Sequence, residues 1–166
     1  MAPARSRLLL VVAVVGMLVL TGCLGTLTSA ANDGEYERTT VTVVDEGGTE
    51  LGTADVRVAD TYAKRYTGLS DTESLGPNEG MLFVHDSEGE YAYVMRDMDF
   101  PIDIVFIAAN GTVTRIHNAE LPPEGTSESD LQRYRGTGRY VLEVPYQWTN
   151  RTGVSVGDTV EIAGDY

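Results

Sequence analysis

Residues 101–119 read "PIDIVFIAANGTVTRIHNA". The apolar run 102–109, the Asn110-Gly111 pair and the alternating run 112–119 form the pattern of two antiparallel strands around a tight turn. Asn-Gly tolerates the positive φ that such a hairpin turn demands. Working outward, "TTVTVV" (39–44) and "LGTADVRVA" (51–59) flank a Gly-Gly turn as a second hairpin. "DTYAKRYTGLS" (60–70) reads as a short helix capped by Asp60 or Thr61 and ended by Gly68. "GMLFV" (80–84), "EYAYVMRDM" (90–98), "RYVLEV" (139–144) and "GDTVEIA" (157–163) complete the strands, and "PYQWTNRTG" (145–153) reads as one helical turn. Between them, "ELPPEGTSESDLQRYRGTG" (120–138) reads as a long loop, of the length that usually serves as a lid or stays disordered. The expectation is a mainly β fold: a compact sandwich or barrel, jelly-roll-like, with one or two short helices.

The chain has 166 residues, 42% of them hydrophobic, enough for one domain with a real core. Its N-terminus carries Arg5 and Arg7, an apolar run from Leu8 to Leu20, then Thr21-Gly22-Cys23. This is the form of an export signal, and the run falls short of the ~20 apolar residues of a spanning helix. Cys23, the single cysteine, excludes an internal disulfide and sits where the cysteine of a lipobox would. The reading is a signal peptide over 1–22, a lipidated Cys23 followed by a flexible spacer to residue 38, and one β domain over 39–166. That architecture places the domain on the extracellular face of the cell membrane, with the membrane as partner through the lipid.

Cleavage before Cys23 removes two arginines and no acid, leaving 10 basic against 25 acidic residues, net −15. Lys64 is the sole lysine. A lysine-poor acidic surface is similar to those of salt-loving archaea, where salt screens the repulsion. It argues against nucleic acid, whose phosphates call for clustered Lys and Arg.

Charge threads the otherwise apolar stretch "YVMRDMDFPIDIVF" (93–106). Strand alternation sets Tyr91, Tyr93, Met95 and Asp97 on one face, and places Asp103 with Val105 and Ile107. Asp99-Phe100-Pro101 forms a corner in which Asp99 is a turn residue. A core-facing Asp103 must either bind main-chain amides or pair with a cation. The functional alternative is a pocket mouth formed by Arg96, Asp97 and Asp103 above a floor of Met81, Phe83, Tyr93 and Met95, taking a small polar or anionic ligand. Arg133, Arg135 and Arg139 either neutralise acidic surface or reach over that pocket to hold an anion, with Glu143 as their partner or as a strand-end acid.

Paired carboxylates such as Asp97 and Asp103 could perform acid–base hydrolysis if their neighbours split their pKa values. No G-x-S-x-G, P-loop or H-x-x-x-H spacing occurs. His85 and His117 are too few for a metal centre, Met81, Met95 and Met98 read as core rather than as Cu(I) ligands, and no cofactor is expected. Asn110 and Asn150 head N-glycosylation acceptor triplets at predicted surface turns.

Taken in order, "VRVADTYAKRYTGLS", "GMLFV", "YVMRDMDFPIDIVFI" with its Asn-Gly hairpin, "RYVLEVP" and "GVSVGDTVEI" resemble the domain of unknown function 192 family over residues 56–162. The resemblance implies a compact, mostly β domain, often secreted or lipid-anchored, with no assigned activity. The family commonly carries Met at Ser70, Trp at Val94 and Lys-Asn at Arg96-Asp97. The functional expectation is a lipid-anchored, non-catalytic binding module for a small ligand or an envelope partner. Its alternatives are a hydrolase using Asp97 and Asp103, and a purely structural surface protein.

Overall fold

The computed structural model describes residues 36–166. The expected signal peptide, Cys23 and most of the spacer lie outside them. Seven strands form one sheet in the order β5-β4-β6-β3-β2-β1-β7. They are β1 (Glu37–Val44), β2 (Glu50–Ala59), β3 (Glu79–Tyr93), β4 (Ile102–Ile107), β5 (Val113–Ala119), β6 (Tyr134–Pro145) and β7 (Thr159–Ile162). Helix α1 (Tyr62–Thr67) lies in the crossover between β2 and β3, the parallel pair, and α2 (Trp148–Thr152) follows β6. Among the described residues no helix is long and apolar enough to cross a membrane.

The mainly β architecture with two short helices is the expected one, and its form is a half-barrel. The sheet curls until the chain beside β5 meets β7 through a Thr112–Thr159 bridge. One curled sheet thus supplies the walls that two packed sheets would. A first apolar cluster draws on all seven strands, from Val41 and Val56 through Leu82, Leu142 and Val105 to Val113 and Val160, and this marks it as the enclosed side. A second lies on the outer face of β3, β6 and β4, where Met81, Phe83, Ile104, Phe106 and Val141 pack under Leu69, Met95 and Tyr134.

The two strands expected over 80–84 and 90–98 are one 15-residue strand, β3, whose register against β6 shifts between Val84 and Gly89. The expected loop over 120–138 is shorter, because β6 begins at Tyr134 and only one 3-10 turn, Glu128–Asp130, interrupts what remains. Gly136 and Gly138 are strand residues, not turn residues. A Cβ on Gly136 would stand 2.4 Å from the Phe106 ring, and one on Gly138 would stand 2.5 Å from the Ile107 carbonyl oxygen. Glycine inside a strand marks close approach as well as turning.

Asp103, fully buried on β4, faces the enclosed side. Its Oδ1 accepts hydrogen bonds from the Asn118 amide (2.6 Å) and the Gln147 N–H (3.0 Å), and its Oδ2 from the Thr149 N–H (2.9 Å) and hydroxyl (2.7 Å). The carboxylate therefore caps α2 from outside the helix, satisfying amides that a helix start leaves orphaned. It holds Gln147 in the left-handed region, at φ 62°, and seats Trp148, 1% exposed, in the enclosed core.

Asp103→Ala strands four donors in the interior, and the expected loss is about 3 kcal/mol or more in urea unfolding, with an unchanged m-value. Asp103→Asn turns an amide group toward donors and recovers only part of that loss. A loss below about 1 kcal/mol for Asp103→Ala would show that α2 is held by its apolar contacts alone.

Candidate functional site

Over the outer cluster stands a cavity of about 390 Å³, open to solvent between α1, the distal half of β3 and the segment that follows it. The Thr61 hydroxyl caps α1 by accepting from the Lys64 N–H at 3.3 Å. Gly68 ends the helix at φ 55° and donates to the Lys64 carbonyl. That positive φ lets the chain reverse and lay Leu69 and Ser70 along the cavity wall. From α1, Tyr62 and Tyr66 point outward at 78% and 60% exposure, their rings 6.3 Å apart, and form one lip.

Strand β3 supplies the aromatic wall. Phe83 meets Tyr93 edge to face at 5.0 Å, and His85 stacks on Tyr91 at 3.5 Å. The His85 Nε2 and the Tyr93 hydroxyl lie 2.9 Å apart and share a hydrogen bond. Burial, with the Arg65 charge adding to it, lowers the His85 pKa to about 4, so the ring is neutral near pH 7. Burial and then the nearby Glu143 push the Tyr93 hydroxyl up, and it keeps its proton.

Arg96 closes the opposite lip. Its guanidinium stacks 4.1 Å over the Tyr66 ring, donates to the Tyr66 carbonyl and lies 3.6 Å from the Glu128 carboxylate. The Ser70 hydroxyl donates to the Arg96 carbonyl at 2.9 Å, tying the two lips together. Arg65 is spent on the main-chain carbonyls of Asp60 and Val84, both at 2.7 Å.

The floor holds the unexpected group. Glu143 on β6 lies between Met81 of β3 and Ile104 of β4, is 5% exposed, and lines the cavity. Among the described residues no hydrogen bond or charge offsets its burial, and desolvation alone raises its pKa to about 8. The sequence reading made it a partner of the arginines or a strand-end acid. It is instead a buried carboxyl in the middle of the sheet.

Of the candidate residues, the structure brings Arg96, Tyr93 and Phe83 to this cavity, while Met81 and Met95 lie buried beneath it. Asp97 is a turn residue at φ 52°, its side chain 81% exposed, and Asp99 lies in the bend that follows, as expected of a corner residue. Asp103 lies on the other side of the sheet, so the two carboxylates do not form a pair and the expected mouth of Arg96, Asp97 and Asp103 is not assembled. Arg133, Arg135 and Arg139 are outside the cavity. Arg135 pairs with Glu90 at 3.5 Å, Arg139 lies over the Tyr140 ring with its Nε toward the His85 carbonyl, and Arg133 is exposed. Among the described residues no group of three or more His, Cys, Asp or Glu side chains could hold a metal ion. Asn110 sits in its hairpin turn accepting from the Thr112 N–H, and Asn150 is exposed on α2. A second depression, of about 520 Å³, is lined by the 109–111 turn, Tyr140, β7 and the C-terminal residues, and its one charged side chain, Asp165, is exposed.

What the fold and cavity define is a small β half-barrel with a pocket on its outer face. The chain belongs to the DUF192 family, described as Uncharacterized ACR, whose model matches residues 42–162. Two solved structures are similar. One, from Sinorhizobium meliloti 1021, is described as a "putative transcription regulator"; it has 28% identity and a TM-score of 0.70, the match covering 81% of this chain and 100% of that one. The other, a protein of unknown function from Novosphingobium aromaticivorans DSM 12444, has 26% identity and a TM-score of 0.65, over 84% of this chain and 99% of that one. No curated protein matches.

The raised Glu143 pKa has a sign that unfolding can read. The folded state holds the proton up to about pH 8 while the unfolded chain releases it near 4.5, so stability falls as pH rises through that window. The cost reaches roughly 4 kcal/mol by its upper end. His85 works the other way at the acid end, between about pH 4 and 6.5. Glu143→Gln is expected to abolish the decline at the upper end and to unfold later than the parent above pH 8. Identical pH–stability curves for the two would show that the carboxyl is solvated.

Proposed function

We propose that this chain is a membrane-anchored extracytoplasmic lipoprotein, tethered through Cys23, whose β domain is a non-catalytic binding module for a small molecule. The ligand enters between α1 and β3 and reaches Glu143. The observation that carries this reading is the carboxyl on the cavity floor, which has no hydrogen-bond partner among the described residues and is reached by solvent only through the cavity. Burying such a group costs several kcal/mol unless something compensates it, and an apolar residue of similar size would cost nothing. The cavity falls within the range of small-molecule sites, about 300–1,000 Å³, and has their chemistry of apolar walls with a few convergent polar groups.

The sequence-based preference for an anionic ligand rested on an arginine loop over the pocket. With those three arginines elsewhere, Arg96 is left as the cation at the lip, and its bonds to Tyr66 and Glu128 engage it. Hydrolysis by Asp97 and Asp103 loses its geometric basis. The regulator description of one similar structure does not carry over, since a net charge of −13 repels a phosphate backbone.

A small-molecule fragment screen followed by amide chemical shifts tests the pocket. Perturbations are expected to converge on Phe83, Tyr93, Ile102 and Glu143, and to vanish in Val94→Trp, which fills the mouth from a half-buried wall position. Shifts centred on residues 109–111 and Tyr166, or on no contiguous surface, would overturn the reading. For the anchor, mass spectrometry of protein from its native membrane is expected to find a lipidated Cys23 as first residue, and Cys23→Ser to release the domain. An intact N-terminus at Met1 would refute it.

A further inference from the structure

We infer that the pocket is built for a small organic cation, a molecule whose alkylated ammonium group packs against the aromatic wall and forms an ion pair with Glu143. The inference rests on the binding-pocket reading above and assigns the chemistry of the ligand. Three observations converge on it.

The first is the unpartnered carboxyl. Glu143 is more than nine-tenths buried, sits mid-strand between Met81 and Ile104, and opens only to the cavity. The protein cations nearest the cavity are engaged elsewhere, Arg65 on two main-chain carbonyls and Arg96 on Tyr66 and Glu128. A ligand cation is therefore what the carboxyl lacks. An anionic ligand would keep the carboxyl protonated and gain no ion pair from it, and a purely apolar one would offer it no partner.

The second is the wall. Phe83 and Tyr93 stand edge to face and His85 lies flat on Tyr91, while Tyr62 and Tyr66 flank the entrance. Ring faces attract cations through their quadrupole and repel anions, and such cages are the usual means of recognising quaternary ammonium groups. The third is the scarcity of acceptors. A primary ammonium carries three donors that each want an oxygen. Among the residues lining the cavity Glu143 is the one carboxylate, and the Tyr93 hydroxyl beside it is already joined to His85, so a primary ammonium would find one strong acceptor there. An alkylated ammonium makes no such demand.

The titratable and charged groups that line the cavity with Glu143 are Tyr91, Tyr93 and His85 from β3, Tyr62, Arg65 and Tyr66 from α1 and Arg96 from the segment after β3, while β4 presents Ile102. Tyr93 keeps its proton and His85 is neutral near pH 7, so Glu143 is the group that titrates near neutrality. A bound cation stabilises the carboxylate, and one proton leaves the carboxyl for solvent per ligand taken up. No covalent bond forms or breaks.

Calorimetry on the folded domain with choline, with its uncharged isostere in which carbon replaces nitrogen, and with acetate tests this. Choline is expected to bind about tenfold or more tighter than the isostere. Its affinity is expected to rise about tenfold per pH unit below pH 8, with heats that vary with buffer because a proton is released. Glu143→Gln, which should fold at least as stably as the parent, is expected to lose the preference and the pH dependence while still taking the isostere. If the isostere or acetate binds as well as choline, or binding takes up a proton, the cation assignment is wrong and the pocket reading survives. If none of these probes, and no member of the fragment set, perturbs Phe83, Tyr93 or Glu143, both readings fall together.

Discussion

The rest of the fold depends on how one buried carboxylate is satisfied. Asp103 takes donors from three residues in two separate parts of the chain, Asn118 on β5 and Gln147 and Thr149 at the start of α2. A buried charge is tolerable when hydrogen bonds replace its lost hydration, and here both oxygens are supplied. The bonds do more than neutralise a cost. They fix a five-residue helix that is far too short to persist alone, and they hold the strained backbone at Gln147 that precedes it. That helix in turn carries Trp148 into the enclosed core, with its indole N–H on Asn78. Sheet curl and core filling are thereby tied to one side chain.

Next to it, on the adjacent rung of the same ladder, is the opposite case. Asp103 pairs in register with Val144 and faces inward, while Ile104 pairs with Glu143 and faces the outer cavity. Both carboxyls are almost fully buried, yet Asp103 has every donor it needs and Glu143 has none among the described residues. Burial alone thus does not separate architecture from function in a β domain. The accounting of donors does, because a group with no partner in the protein is a cost that packing would have removed.

Much of this was legible in the chain, and the failures are instructive. The Asn-Gly hairpin, the Gly-Gly turn and the capped helix ended by Gly68 follow from local turn chemistry, and each stands as read. The β6 boundary is not legible because Gly136 and Gly138 read locally as turn residues, whereas Phe106 and Ile107, some 30 positions away, need the space. The role of Asp103 was bounded correctly as main-chain amides or a cation. Its actual partners lie 44 and 46 residues ahead, beyond the reach of any local pattern. Glu143 carries a signal in the sequence itself. In "YVLEVP" both the Tyr140-Leu142-Val144 face and the Val141 face are apolar, so an acid there had to be buried and not at a strand end.

The cavity exists because the molecule separates two tasks between the faces of one sheet. The enclosed face is filled by strand residues from every part of the ladder, and a change there meets dense packing on all sides. The outer face is covered instead by α1 and by the segment through Arg96 and Asp97, joined across the mouth by single side-chain bonds such as Ser70 to the Arg96 carbonyl. Asp97 turns the chain at positive φ so that Arg96 lies back over Tyr66 and does not reach the floor. Such a rim can be reshaped without loosening the barrel. Glu143 sits rigidly in the sheet, whereas the groups that decide what reaches it sit on segments held by a few bonds, which is how a stable scaffold and an adjustable entrance can share one small domain.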